Sequence, residues 1–209
     1  IQDYVLNYYN KESVLITYGA DHVIKSNVSP YILKYPFLEN PYIFTVCRIE
    51  PENNIELQLE AFSNDNISIP YVVVGNWESS SFGKRLYQKY KNFPNIHLLK
   101  PIYEPVELNA LRSNCFVYLH GHSAGGTNPS LVEAMFLGIP IIAFDVKYNR
   151  ETTSNFAIFY SNNVELVKIL SKIESYDLHI MAKNVQIFAL NNYTWSKISK
   201  KYLDVIFSI

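Results

Sequence analysis

The sequence is poor in the residues that most often announce a disulfide scaffold, a membrane span or a nucleic-acid surface. It has only two cysteines, Cys47 and Cys115, each inside an apolar strand-like run. Both read as reduced core thiols of a cytosolic protein rather than as a disulfide or a metal pair. No apolar run approaches the roughly 20 residues of a membrane helix. Charge of either sign is nearly balanced, 18 Lys and Arg against 19 Asp and Glu, so there is no basic footprint for nucleic acid. Charged residues make up only 18% of the chain against 48% hydrophobic, which excludes a disordered chain. There is no Walker loop and no glycine-rich dinucleotide fingerprint. No two aspartates stand one residue apart, so a metal-chelated nucleotide has no obvious ligands. The only methionines are Met135 and Met181, and no signal peptide is present. These absences lead us to expect a domain cut from a longer protein.

What is present is an alternation. Tyr42–Val46 is apolar and is followed by an amphipathic stretch, Asn54–Ser63. Ile69–Val74, Ile96–Leu99, Cys115–His120, Ile141–Phe144 and Ala157–Tyr160 read as further strands. Between and after them, Ser80–Lys91, Pro105–Ser113, Pro129–Leu137, Val164–Ile173, Leu178–Leu190 and Trp195–Phe207 have helical spacing. Short continuous apolar strands separated by helices indicate a parallel sheet covered on both faces, a doubly wound Rossmann-like α/β fold. Residues 1–40 fit this rhythm poorly: Val14-Leu15-Ile16 is followed by a polar, proline-punctuated stretch. They read as the tail of a preceding domain plus a linker, with a sheet domain over 41–175 and terminal helices over 176–209.

In such a sheet the ligand sits at the carboxyl ends of the strands. Arg48 lies just past the first strand, close to a helix start, where a guanidinium and backbone donors suit a diphosphate. Taken alone, it reads more readily as a surface arginine paired with Glu50 or Glu52. After the fourth strand comes a glycine-rich loop, His120 to Asn128, leading into a helix with Asn128 as N-cap and Pro129 at its first position. Gly125 and Gly126 allow close approach of a ligand. Glu133 then falls one turn into an otherwise apolar helix, where a carboxylate needs a partner. Ribose hydroxyls are one candidate partner, and a dipole-stabilising role is the alternative. His120 and His122 are taken to point to opposite faces, with no acidic or cysteine cluster beside them, so packing or a substrate hydrogen bond is favoured over metal.

With those residues in place, the stretch Tyr42–Phe62 resembles the start of the donor domain in GT-B, GT4-type retaining glycosyltransferases. The stretch around "GHSAGGTNPSLVEAM" resembles that family's two-glutamate region. "VVVGN" and "NIHLLKPI" fit as well, so the resemblance covers roughly residues 10 to 175. The form "GGTNPSLVEAM" with "EPENN" upstream is most similar to a subgroup containing bacterial rhamnosyltransferases of surface-polysaccharide synthesis. Ile1–Asp21 resembles the last helix and strand of the acceptor domain.

The resemblance implies the C-terminal half of a GT-B enzyme. Arg48 would bind the donor diphosphate and Glu133 the nucleotide ribose; these two are the implied catalytic residues. The family's lysine five residues after the arginine is here Asn53, an implied donor-binding residue that can give only neutral hydrogen bonds, and its first glutamate falls at Gly125, a donor-binding position where that sugar contact is missing. The backbone of Gly126, Thr127 and Asn128 could still meet sugar or phosphate, and Lys100 to Tyr103, with Lys100 and Ile102 among them, would lie beside the base. The implied activity is hexosyl transfer from a nucleoside diphosphate sugar, without a metal or other cofactor. The acceptor, a saccharide or lipid-linked saccharide, would be held by a missing N-terminal domain. The implied setting is the cytoplasm of a bacterium, at the inner membrane face with peripheral contact, in capsule or lipopolysaccharide synthesis. A GT-B nucleotide-sugar epimerase and a degenerate, non-catalytic nucleotide-binding module remain as alternatives.

Overall fold

The computed structural model describes residues 2–208. An N-terminal helix α1 (Gln2–Tyr9) precedes a long connection with short 3-10 turns at Ser29–Tyr31 and Pro36–Glu39. The sheet then begins: β1 (Ile43–Val46), α2 (Ile55–Phe62), β2 (Tyr71–Val74), α3 (Ser81–Tyr90), β3 (Ile96–Leu99), α4 (Pro105–Ser113), β4 (Val117–His120), α5 (Pro129–Phe136), β5 (Ile141–Phe144), α6 (Lys147–Thr152), β6 (Ile158–Tyr160) and α7 (Asn163–Leu170). Two longer helices, α8 (Leu178–Asn192) and α9 (Trp195–Phe207), follow. The six strands lie in the order β3-β2-β1-β4-β5-β6 and every neighbouring pair is parallel. This is the doubly wound α/β fold expected from the continuous apolar strands.

Alternate side chains of each strand feed two cores. Phe44, Val72 and Tyr118 pack with Leu131 and Met135 of α5 and Val185 of α8. Ile43, Tyr71, Val73 and Leu119 pack with Leu59 of α2 and Leu166 of α7 on the other face. Both sides of the sheet are therefore closed, and its functional edge is left to the loops. The strand order reverses between β1 and β4, so their carboxyl ends form the switch point where such sheets place ligands. Asn128 caps α5 as expected, its Oδ1 accepting from Ser130 N at 3.0 Å. Gly138 takes φ +72° just past the helix end, a conformation side chains resist.

Two expectations are corrected and one helix is added. Val14–Ile16 forms no strand; among the described residues, the stretch between α1 and the first 3-10 turn has no regular structure. Its neighbours Ala20 and Val23, with Tyr35 and Phe37, instead join the α5–α8 core, and Ala20 N donates to Tyr193 O at 2.7 Å. Helix α6 was not anticipated, because Lys147 to Thr152 carries no apolar period. The helix expected over Val164–Ile173 ends at Leu170, and Ile173–Ser175 is a separate 3-10 turn.

Candidate active site at the β1–β4 junction

The loops after β1 and β4 are laced together by short polar contacts. Asn53, buried, donates through Nδ2 to Arg48 O at 2.8 Å, and its Oδ1 lies 2.9 Å from His122 Nδ1. An amide oxygen only accepts, so His122 Nδ1 carries the proton. Ser123 N donates to Glu52 O at 2.8 Å, and Asn54 Nδ2 to Gly121 O at 2.7 Å. At Gly121 a Cβ would stand 2.1 Å from Asn53 O, so the two loops touch backbone to backbone. Asn149 of α6 joins the third loop, donating to His122 O and to Phe144 O, both at 2.9 Å. Beneath them Gln58, fully buried, bridges Tyr71 and Tyr160 at 2.6 and 2.8 Å, and Tyr71 also reaches Thr45.

Asn53 therefore does not point a donor at the site; it fixes the Arg48 loop from below. Arg48 itself is 75% exposed, and among the described residues it forms one ion pair, with Glu50 at 3.4 Å, which matches the surface-pair alternative. An exposed pair of this kind is weak, so the guanidinium is free to turn to an anion. Glu133 is differently placed. Its side chain is 17% exposed and both oxygens are engaged: Oε2 with Arg112 Nη1 at 2.8 Å, Oε1 with His22 Nε2 at 3.1 Å. The partner that a carboxylate on this helix requires is thus supplied by the chain itself, from two residues that the sequence did not single out. An arginine four residues after Leu108 and one after Leu111, on the apolar side of α4, was the available signal for Arg112.

Gly125, Gly126 and Thr127 line a cavity of about 310 Å³ together with Lys147, Tyr148 and Glu151 of α6, and with Ser13 and Thr17 of the N-terminal connection. The hydroxyl oxygens of Ser13, Thr17 and Tyr148 are buried there without a partner among the described residues. Gly125 has φ +121°, which a glutamate would hold only under strain. Asn128 is committed to the N-cap. Lys100 and Ile102 follow edge strand β3 and line a separate cavity of about 500 Å³ with Lys34, Tyr35 and Glu107, so the structure does not bring them into the Gly125–Thr127 cavity.

The expectation that His120 and His122 face opposite ways is wrong. Residues two apart on an extended chain share a face, and the two rings lie 6.2 Å apart. Burial pushes His120 down to about 3, with the neighbouring His122 adding to the shift, and its Nε2 has no partner among the described residues. Burial also lowers His122. Among the described residues no three His, Cys, Asp or Glu side chains gather as a metal ion would need, and no helix is long and apolar enough to cross a membrane.

The family model described as glycosyl transferases group 1 matches residues 34–191, well over half of the chain. The chain belongs to the glycosyl transferases group 1 family. No curated protein matches this family member in sequence. Among solved structures, sucrose-phosphate synthase from Thermosynechococcus elongatus is similar with a TM-score of 0.80 at 16% identity, over 99% of this chain and 55% of that one. HepE of Anabaena, solved in complex with UDP-glucose, gives 0.76 at 16% identity, over 92% and 56%. The pneumococcal O-GlcNAc transferase GtfA, solved with UDP and GlcNAc, gives 0.65 at 19% identity, over 98% and 42%. The glycosyl transferases group 1 chain thus spans about half the length of these structures and shares their fold.

Proposed function

We propose that this chain is the donor-binding half of a retaining glycosyltransferase. It would move a hexose from a nucleoside diphosphate sugar to a saccharide or lipid-linked saccharide held by a second lobe. The observation that carries the reading is the β1–β4 junction. There the loops after β1 and β4, tied together by Asn53–His122 and Glu52–Ser123, carry an exposed Arg48 and the Gly125–Thr127 backbone at the sheet's switch point, with Glu133 one turn into α5. Solved neighbours holding UDP-glucose, or UDP with GlcNAc, support a nucleotide sugar as the ligand.

In this reading Arg48 leaves Glu50 for the donor diphosphate. The positive end of the α5 dipole faces the same charge. Stabilising the departing diphosphate is electrostatic work that needs neither a covalent intermediate nor a metal. Glu133 takes the ribose. The unpartnered hydroxyls of Ser13, Thr17 and Tyr148 are neutral groups suited to a sugar, in place of the carboxylate lost at Gly125. The "GGTNPSLVEAM" form supports a rhamnose donor and bacterial capsule or lipopolysaccharide synthesis, in the cytoplasm at the inner membrane face. Asn53 and Gly125 favour the second reading, a nucleotide-binding module without turnover; sugar transfer by the full-length protein would exclude it.

Calorimetry with UDP, TDP, GDP and ADP on the chain and on Arg48→Ala tests the site. A charged hydrogen bond to the distal phosphate is worth about 1.5–3 kcal/mol. Arg48→Ala should therefore weaken diphosphates by that amount and monophosphates far less. Equal losses for both would sink the diphosphate role.

A further inference from the structure

We propose that Glu133 is set by two positioning residues with different tasks: Arg112 holds its inner oxygen permanently, and His22 holds its outer oxygen until the hydroxyls of a bound ribose replace it. The proposal rests on the β1–β4 junction being a nucleotide site, and it adds the residues that orient the ribose carboxylate.

The asymmetry is visible in burial and in bonding. Arg112 is 4% exposed. Its Nη1 meets Glu133 Oε2 at 2.8 Å and, more loosely, Asn109 Oδ1 at 3.4 Å, while its Nε has no partner among the described residues. A guanidinium stays charged in proteins, and a buried charge without its counter-charge is strongly unfavourable. Nothing entering from solvent can take Oε2 without stranding Arg112. That bond therefore persists and fixes the plane of the carboxylate.

His22 is the opposite case. It is half exposed and sits on the irregular connection rather than on a helix or strand. Trp195 Nε1 donates to His22 Nδ1 at 3.2 Å. Indole is only a donor, so Nδ1 accepts, and a neutral ring then carries its proton on Nε2. That proton is donated to Glu133 Oε1 at 3.1 Å. Asp21 steadies the arrangement by accepting from Trp195 N at 2.7 Å, at the start of α9. The outer oxygen thus holds one neutral donor at the surface. A ribose offers two hydroxyl donors to the same place, so exchange there gains hydrogen bonds and strands no charge. Ribose binding would release the His22 ring from Glu133, while Asp21 and Ala20 keep the connection on Trp195 and Tyr193.

The test pairs UDP, GDP and ADP with their 2′,3′-dideoxy counterparts in calorimetry on wild type, His22→Ala, Arg112→Met and Arg112→Lys. His22→Ala removes a competitor worth about one neutral hydrogen bond, so the ribonucleotide should bind about fivefold tighter and the dideoxy form no differently. Arg112→Met should weaken the ribonucleotide by tenfold or more while sparing the dideoxy form, with Arg112→Lys recovering part of the loss. The His22 ring nitrogen signals in a histidine-labelled sample should move on adding the ribonucleotide and not the dideoxy form. If Arg112→Met does not fold, His22→Ala and the nitrogen signals decide alone. Unchanged or weaker ribonucleotide binding in His22→Ala would overturn the exchange, and equal losses for both ligand forms in Arg112→Met would reduce Arg112 to a structural residue. No binding of any nucleotide to wild type would overturn the nucleotide-site reading, and the exchange with it.

Discussion

Glu133 carries consequences for stability as well as for binding. Because Arg112 is buried against it, Glu133→Gln leaves an uncompensated interior charge, which costs about 3–5 kcal/mol. The double variant Glu133→Gln with Arg112→Met removes both charges and should recover most of that loss. Urea denaturation of the three proteins checks it; a Glu133→Gln variant as stable as wild type would dissolve the buried pair. His120 governs a second dependence. Folded, its ring stays neutral down to about pH 3, whereas the unfolded chain takes up the proton near pH 6.5. The unfolded state thus binds more protons between those values, and stability falls as pH drops below about 6.5. This one group accounts for about 1.4 kcal/mol per pH unit, and above pH 6.5 its contribution is fully present. His122 and His97, also lowered with burial the leading cause, act in the same direction. His120→Phe keeps a ring beside Tyr118 and removes no hydrogen bond from Nε2, which has no partner among the described residues. Its stability should therefore vary less with pH between 7 and 5, and an unchanged slope would refute the assignment.

Loop and helix geometry at the β1–β4 junction depends on glycine at one position above all. Gly121→Ala would press a methyl group within 2.1 Å of Asn53 O and 2.2 Å of Gln58 Nε2. Backbone must move to admit it, so a loss of about 1–3 kcal/mol is expected, together with weaker nucleotide binding. A thermal melt and a nucleotide titration read the two effects, and a variant that loses neither would mean the loops separate easily. The sheet itself was plain in the sequence, because parallel strands closed on both faces are continuous apolar runs and the N-cap at Asn128 follows local rules. Helix α6 was hidden because Lys147–Thr152 is polar and is held by Asn149, whose side chain reaches back to the loops after β4 and β5. Arg48 and the glycine loop were legible from position alone. The partners of Glu133 were not: His22 lies 111 residues away in sequence, and only folding shows that a linker and the end of α4 meet at one carboxylate. Asn53 reads as a donor-binding residue for the same reason; its bonds to Arg48 O and His122 depend on how two distant loops pack.

Taken whole, the chain is a closed sheet domain with one working edge and about half the length of the solved structures it resembles. Its two cores fill both faces of the sheet with side chains of this chain. The residues proposed for the diphosphate and the ribose all lie on loops and helices of this chain. Binding and transfer should therefore separate. Binding needs only the switch-point edge, whereas transfer needs an acceptor hydroxyl held against the donor carbon, and such positioning supplies about 7–11 kcal/mol of barrier reduction. One lobe also leaves the donor open to water, which a closed cleft would exclude. Residues 1–209 should accordingly give measurable heat on titration with a nucleoside diphosphate and no glycosylated product on any saccharide or lipid-linked acceptor. Joining them to an acceptor lobe should restore transfer without tightening the nucleotide more than a few-fold. Efficient transfer by these residues alone, scored by mass spectrometry of the acceptor, would refute the two-lobe reading. A nucleotide that binds only once the second lobe is present would place the donor site between the lobes rather than on the β1–β4 edge.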